Sequence, residues 1–295
     1  MGMTIKTQPL SKQAGLAILN DETTNIFDLD QEEIVRLFQD SGFLLFRGFE
    51  TDVNIFTGFT DSLSKDFKDY TGGVFNRRII NGNPTLLTVN NFKDEIKLHG
   101  EMYYQQDRPL MLWFFCEQPP VEDGETILCD GRQLFHEFPS HLKKIFGNKK
   151  LKYVAHLNKE AWQQRYKTDD LKVVGHLCES NNTTLDIKDD ESIVVQYICP
   201  AIHSSRCGNY TNFINSLLPA KRLSPKVVWF DDDSEITDEL VAEIEEIAEN
   251  LTTKIAWKKG DILMVDNTRI MHGRRAFADY QRDIYLRLCS PAFSF

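Results

Sequence analysis

The chain has 295 residues, 41% hydrophobic and 26% charged, which suits one globular domain over 1–295 with a substantial buried core. A formal net charge of −10 argues against a nucleic acid or an anionic membrane surface as partner, because both reward basic patches. No apolar run is long enough to span a bilayer, and the first residues lack the apolar stretch of a secretory signal. Lys6 stands where a myristoylation signal beginning at Gly2 would want Ser or Thr, so a cytoplasmic protein is expected.

Residues 1–25 are expected at the periphery. The stretch "NIFDLDQEEIVRLFQDSGFLLFRGF" predicts an amphipathic helix with Ile34, Leu37 and Phe38 on one face and acids in its first turn. Gly42 stops it, and "FLLFRGF" follows as a short apolar strand. Residues 56–70 predict a second helix. "TGGVFNRRIINGNPTLLTVNN" reads as turns between short extended pieces, and "PLMLWFFCEQPP" as a buried strand ended by two prolines. "GETILCDGRQLF" predicts a strand passing into a helix, and "DESIVVQYICPAIH" another strand. In "TDELVAEIEEIAENLTT" Leu240, Val241, Ile244, Ile247, Ala248 and Leu251 recur at helical spacing, with the acidic run "FDDDSEITDE" as the helix entry. "KIAWKKGDILMVDN" predicts two strands around a Gly-Asp turn, and "RDIYLRLCSPAF" a closing strand. The class is α+β, mainly β, with helices flanking a mostly antiparallel core. Cys116, Cys129, Cys178, Cys199, Cys207 and Cys289 include no C-x-x-C pair, so reduced, mostly buried thiols are expected in place of a structural zinc site.

The chemistry-bearing stretch is "KLHGEMYY". On a strand, His99 and Glu101 point to one face, because side chains alternate with period two. Two ligands hold a metal poorly. Of the seven histidines, His272 in "GDILMVDNTRIMHGRRAF" is the candidate third, following a strong strand and expected in a polar turn rich in Arg and Gly. Two histidines and a carboxylate leave three adjacent coordination positions open, as a non-haem Fe(II) oxygenase requires. A hydrolytic zinc site uses the same set, so the ligands alone leave the metal undecided. His136, His141, His156, His176 and His203 read as structural or solvated, with His176 inside a strand or loop. Tyr103, Tyr104, Trp113 and Phe114 read as core.

Taken in order, "LHGEMYY", "RPLMLWFFCEQPP", "DGETILCD", "GDILMVDNTRIMHGRRAF" and "QRDIYLR" resemble the taurine dioxygenase/clavaminate synthase-like group of Fe(II)- and 2-oxoglutarate-dependent oxygenases, from about Gly42 to Ser290. The resemblance implies a double-stranded β-helix, a jelly-roll or cupin-like barrel. It implies His99, Glu101 and His272 as metal ligands and Thr126, in the segment Gly124, Glu125, Thr126, as a hydroxyl donor to 2-oxoglutarate. It also implies an arginine after the distal histidine, whose planar fork clamps the distal carboxylate of 2-oxoglutarate. Arg282 and Arg287 are available. They lie an odd number of positions apart, so a regular strand turns them to opposite sides; Arg282 matches the family pattern better, which leaves Arg287 as a wall or substrate-carboxylate contact. Asn90 and Asn91 resemble the family's substrate-facing segment, and Arg275, beside Arg274, stands at the expected rim.

Halogenating relatives lack the carboxylate ligand that Glu101 supplies, so oxygenation is expected. The implied reaction converts 2-oxoglutarate and O2 to succinate and CO2 while hydrogen is taken from a small substrate, which is then hydroxylated, desaturated or cyclised. The spare arginines Arg77, Arg78 and Arg287 suggest an acidic or zwitterionic, amino-acid-like substrate. A zinc-dependent hydrolase on the same barrel and a non-catalytic jelly-roll binding protein are the alternatives. Oligomeric state is not legible.

Overall fold

The computed structural model describes residues 5–20, 23–75, 77–90, 92–206 and 210–294. Its core is a pair of facing, mostly antiparallel sheets. The larger has nine strands, and at its centre Ile262–Asp266, Met111–Gln118 and Asp283–Pro291 lie side by side. Phe43–Arg47 continues it on one edge, and Asn83–Thr88 with Ser64–Lys68 on the other. The smaller sheet runs in the order Thr253–Ile255, Thr126–Asp130, Ile270–Arg274, Ile96–His99. No ladder among the described residues joins the two sheets, so the expected barrel is a double-stranded β-helix that hydrogen bonding leaves open.

The central strands are apolar without interruption because both faces of the large sheet are covered. Met111, Trp113, Phe115, Ile262 and Met264 pack under two helices, Gln31–Ser41 and Val53–Leu63. Their neighbours Leu112, Phe114, Leu263 and Val265 point the other way, into the space between the sheets, where Ile284, Leu286, Leu128 and Ile270 meet them. The first helix is capped by Asp30, whose side chain accepts from the amides of Glu32 and Glu33, and is ended by Gly42 at φ 81°. Ile34, Leu37 and Phe38 are its buried face, as the periodicity requires.

The helix expected over 56–70 ends at Leu63. Ser64 is extended, and Ser64–Lys68 pairs with the last strand through Pro291, Ser290 and Leu288, with a register shift at Asp66, φ 51°. The two strands expected around the Gly-Asp turn do exist, but they belong to different sheets.

A third sheet, ordered Thr184–Ile187, Ile193–Pro200, Lys150–Leu157, Val228–Phe230, stands beside the sandwich with helices Lys159–Tyr166 and Leu171–Ser180 against it. His176 is exposed on the second of these helices, not inside a strand or loop. The helices Gly131–Glu137, Ser140–Asn148 and Asp238–Asn250 close the outer face of the small sheet. Five cysteines are buried free thiols, as expected; Cys207 lies outside the described residues. No helix among the described residues is long and apolar enough to cross a membrane.

Candidate active site

Strand parity carries the site. In Ile270–Arg274, Met271 packs outward while Ile270, His272 and Arg274 face inward. Thr126 and Leu128 are the inward residues of the neighbouring strand, opposite Arg274 and His272. His99 pairs directly across from His272, bringing the two rings to 4.3 Å between centroids. His272 therefore lies mid-strand, not in the polar turn expected. The strand bearing His99 stops there, and Glu101 comes from the turn that follows.

That turn is built to hold the carboxylate. Gly100 has no room for a side chain, since a Cβ would sit 2.4 Å from the Tyr103 ring and 2.9 Å from Ile214. Buried Asn267 accepts from the Glu101 amide at 2.8 Å and donates to the carbonyls of Glu101 and Pro109, fixing the backbone on both sides. The result is Glu101 Oε2 at 3.3 Å from His272 Nε2 and 3.9 Å from His99 Nε2. One ligand atom from each of the three residues lies within 4.8 Å of the others, close enough for the three to hold one metal ion after small side-chain adjustment. Among the described residues no other group of three His, Cys, Asp or Glu meets that test.

The ionisation states suit a cation. Burial, then repulsion from His272, pushes His99 down to about 4, so its imidazole is neutral at physiological pH. The carbonyl of Lys97, 2.8 Å from His99 Nδ1, orients the ring and leaves Nε2 toward Glu101. Burial opposes ionisation of Glu101, but the Arg77 guanidinium and the hydrogen bond from His272 outweigh it and hold the carboxyl well below its usual range. His272 Nδ1 is buried with no hydrogen-bond partner among the described residues. A divalent metal fits this donor set. We expect Gly100→Ala to displace Glu101 and lower Fe(II) affinity by more than the roughly 10–100-fold cost of losing an outer-shell partner, as measured by metal titration.

The three residues line one part of a cavity of about 780 Å³. At the same end Arg274 and Arg282 are both buried, and neither forms an ion pair among the described residues. Among the described residues Arg274 donates only to the backbone carbonyls of Val89, Phe92 and Asp94. Burial, then the proximity of Arg274, pushes Arg282 down to about 9. Two desolvated cations side by side are costly without an anion between them. Thr126 stands with them: its Oγ1 accepts from Trp257 Nε1 at 3.0 Å, and since an indole can only donate, the threonine proton is left to give to an acceptor in the cavity. Phe114, its ring 5.7 Å from that of His272, lines this end with apolar surface, and Tyr104 lines the wall further out.

Other expectations move. Arg287 faces the opposite side of the large sheet, where it donates to Thr60 Oγ1 and Asp61 Oδ1 and lies 3.6 Å over the Phe67 ring; it does not reach the cavity. Arg275 is ion-paired with Glu95 and Glu249 and is no rim residue. Asn90 does not line the cavity. Its Oδ1 accepts from Arg282 Nη1 at 2.9 Å and its Nδ2 donates to Asp283, so it aims the arginine. Asn91 lies outside the described residues. Asn267, Trp257 and the buried position of Arg274 were not anticipated; Arg274, two positions from His272, is found by strand parity once His272 is read as mid-strand.

Comparison with known proteins agrees with this geometry. A clavaminate synthase-like protein of Arabidopsis thaliana is 26% identical over 279 residues, covering 86% of this chain and 83% of its own. The dapdiamide synthesis protein DdaC of Enterobacter agglomerans is 22% identical over 319 residues, covering 99% and 97%. Among solved structures, PvcB from Pseudomonas aeruginosa matches with a TM-score of 0.65 at 13% identity, covering 97% of this chain and 91% of that one. A second PvcB structure, described as an Fe, alpha-ketoglutarate dependent oxygenase from an isonitrile synthetic pathway, matches at a TM-score of 0.64 and 14% identity, with the same coverage. The model of the taurine catabolism dioxygenase TauD, TfdA family matches residues 6–289, and with nearly the whole chain so matched on a double-stranded β-helix that gathers a His-Glu-His set, the chain belongs to that family of Fe(II)- and 2-oxoglutarate-dependent dioxygenases.

Proposed function

We propose that this chain oxidises a C–H bond of a small, amino-acid-like molecule, with His99, Glu101 and His272 holding Fe(II) and with Thr126 and Arg282 taking the distal carboxylate of 2-oxoglutarate. The observation that carries the reading is the pairing of two features at one end of a single cavity: a His-Glu-His set in which the His99 imidazole is neutral and the Glu101 carboxylate ionised, and beside it two buried guanidiniums that form no ion pair among the described residues. A dicarboxylic acid that bridges from metal to arginine answers both. Arg282 is suited to the distal carboxylate because Asn90 fixes its fork and its remaining donors are free of carboxylates. Thr126 adds a hydroxyl proton to the same anion. Arg274 lowers the cost of bringing a doubly charged molecule into a desolvated site.

The iron, when bound, supplies dioxygen activation and the oxidising power. The chain's own residues supply orientation and shelter. Phe114 and the inward aliphatic residues of the two sheets keep water from this end, and the orienting carbonyl of Lys97 keeps His99 in one tautomer. A zinc hydrolase built on the same ligands gives Arg274 and Arg282 no task. The decisive experiment is an anaerobic absorption spectrum with Fe(II) and 2-oxoglutarate. A metal-to-ligand charge-transfer band is expected that needs both components; its absence, or turnover undiminished when 2-oxoglutarate is withheld, would overturn the reading.

A further inference from the structure

The wall of the cavity carries a cation that the cosubstrate reading leaves unused. Arg77 comes from the Gly- and Asn-rich segment ahead of the metal pair, and its side chain is only 10% exposed. Its guanidinium lies 4.0 Å over the Tyr70 ring, which holds it flat against the wall. Nη2 donates to both oxygens of Glu101, at 3.1 and 3.3 Å. Nη1, on the other arm of the fork, is buried and has no hydrogen-bond partner among the described residues. A buried N–H group left unpaired costs about 1–3 kcal/mol, and more when it is charged, so an occupant that accepts from it is strongly favoured.

The charge around the cavity points to the nature of that occupant. Seven of the described lining residues are Lys or Arg and three are Asp or Glu, in a chain whose net charge is −10. The cavity therefore runs against the rest of the molecule in sign. Two of the seven, Arg274 and Arg282, serve the cosubstrate on the reading above. Glu101 occupies one arm of Arg77, and as a metal ligand it shares its own charge with the ion. The positive surplus that remains draws an anion.

We propose that Arg77 docks a carboxylate of the substrate on its free Nη1 while Nη2 stays on Glu101, so that the substrates of this enzyme are carboxylic acids oxidised at a carbon close to that carboxylate. The inference rests on the metal-site reading above and adds the substrate's anchoring group. Position follows from the bridge: an acid held by the same guanidinium that holds a metal ligand is anchored beside the metal. The chain beyond the reacting carbon then extends toward the third sheet, past Tyr104 and Tyr153, where Arg165, Arg222 and Lys226 stand among aromatic and aliphatic side chains. A fork gives each carboxylate its own fixed arm, whereas a lysine in its place would offer one point of charge without that geometry.

The test uses the full-length protein loaded anaerobically with Fe(II) and 2-oxoglutarate and a panel of amino acids and N-acetyl amino acids, each alongside its C-terminal amide. Binding is read from the change each compound causes in the charge-transfer band. In the unaltered protein the acids are expected to bind tighter than their amides, by about 10- to 100-fold for the best pair, the worth of a desolvated charged hydrogen bond. Arg77→Gln should erase that preference, and Arg77→Lys should restore part of it, which also covers the case in which Arg77→Gln does not fold by circular dichroism. Equal binding of acids and amides, a preference that survives Arg77→Gln, or no acid that shifts the band at millimolar concentration would each overturn the inference and leave the cosubstrate reading standing. Absence of the band itself removes that reading instead, and this inference with it.

Discussion

Replacing His272 with alanine is expected to abolish stoichiometric Fe(II) binding, the charge-transfer band and turnover together. The histidine supplies one of three donors gathered within 4.8 Å, and no other His, Cys, Asp or Glu among the described residues completes such a group to take its place. Two ligands grip a divalent ion weakly, so the loss should exceed the 10–100-fold in affinity that removing an outer-shell partner typically costs. His141→Ala is the control. That imidazole is exposed, bonds Glu243 on a distant surface and does not line the cavity, so its loss should leave all three readouts unchanged. An iron assay on purified protein decides the matter before any substrate is known. Full occupancy in His272→Ala would mean that the metal sits elsewhere, and a protein that loses metal yet changes in no other measurable way would favour the non-catalytic binding module.

The three candidate ligands are legible in the sequence because histidines are few and His99 and Glu101 stand close together, although Glu101 comes from the turn after the strand expected to carry it. What the sequence conceals is why they meet. The "HGRR" that suggests a solvated turn is a strand, and Gly273 is there because a Cβ would fall 2.4 Å from the Ile96 carbonyl of the neighbouring strand. That approach is set by a partner far away in sequence. The same cause hides Ser64–Lys68, whose residues suit a helix end until the last strand, more than two hundred positions on, offers them hydrogen bonds. Of the third sheet only Ile193–Pro200 is read, even though Leu151 and Tyr153 alternate with lysines in "KLKYVAHL". Beyond Lys152 the alternation fades, and there Tyr153 to Leu157 line the cavity, so that half of the strand does not answer to a core alone. Arg287 shows the opposite lesson: its separation from Arg282 by an odd number of residues already put the two on different faces, and packing chose which face is the site.

That choice yields a pair of predictions of opposite sign. Arg282→Met is expected to raise the KM and Kd for 2-oxoglutarate by about 10- to 100-fold, the value of a charge-assisted bond to a carboxylate. It should not lower the stability of the free protein, because Arg282 is a buried cation with another, Arg274, beside it, and among the described residues neither forms an ion pair; the more distant Asp279 and Asp283 do not make up for the burial. Burial already pushes its pKa down to about 9, which means that the folded state bears a cost for keeping it charged. Asn90 Oδ1 loses the arginine as a donor but still accepts from the Ile284 amide, and the other acceptor given up, the Gly124 carbonyl, is held from Nε by a long bond of 3.3 Å. Arg287→Met should behave the other way. Its guanidinium stitches the last strand to the helix Val53–Leu63 through Thr57, Thr60 and Asp61, and its removal should cost about 1–3 kcal/mol of unfolding free energy, the lower figure allowing for the exposure of Asp61. The KM for 2-oxoglutarate should not move. Denaturant midpoints and cosubstrate titrations on the two variants therefore form a crossed pair, and if Arg287→Met instead weakened 2-oxoglutarate binding while Arg282→Met did not, the cavity described here would not be the cosubstrate site.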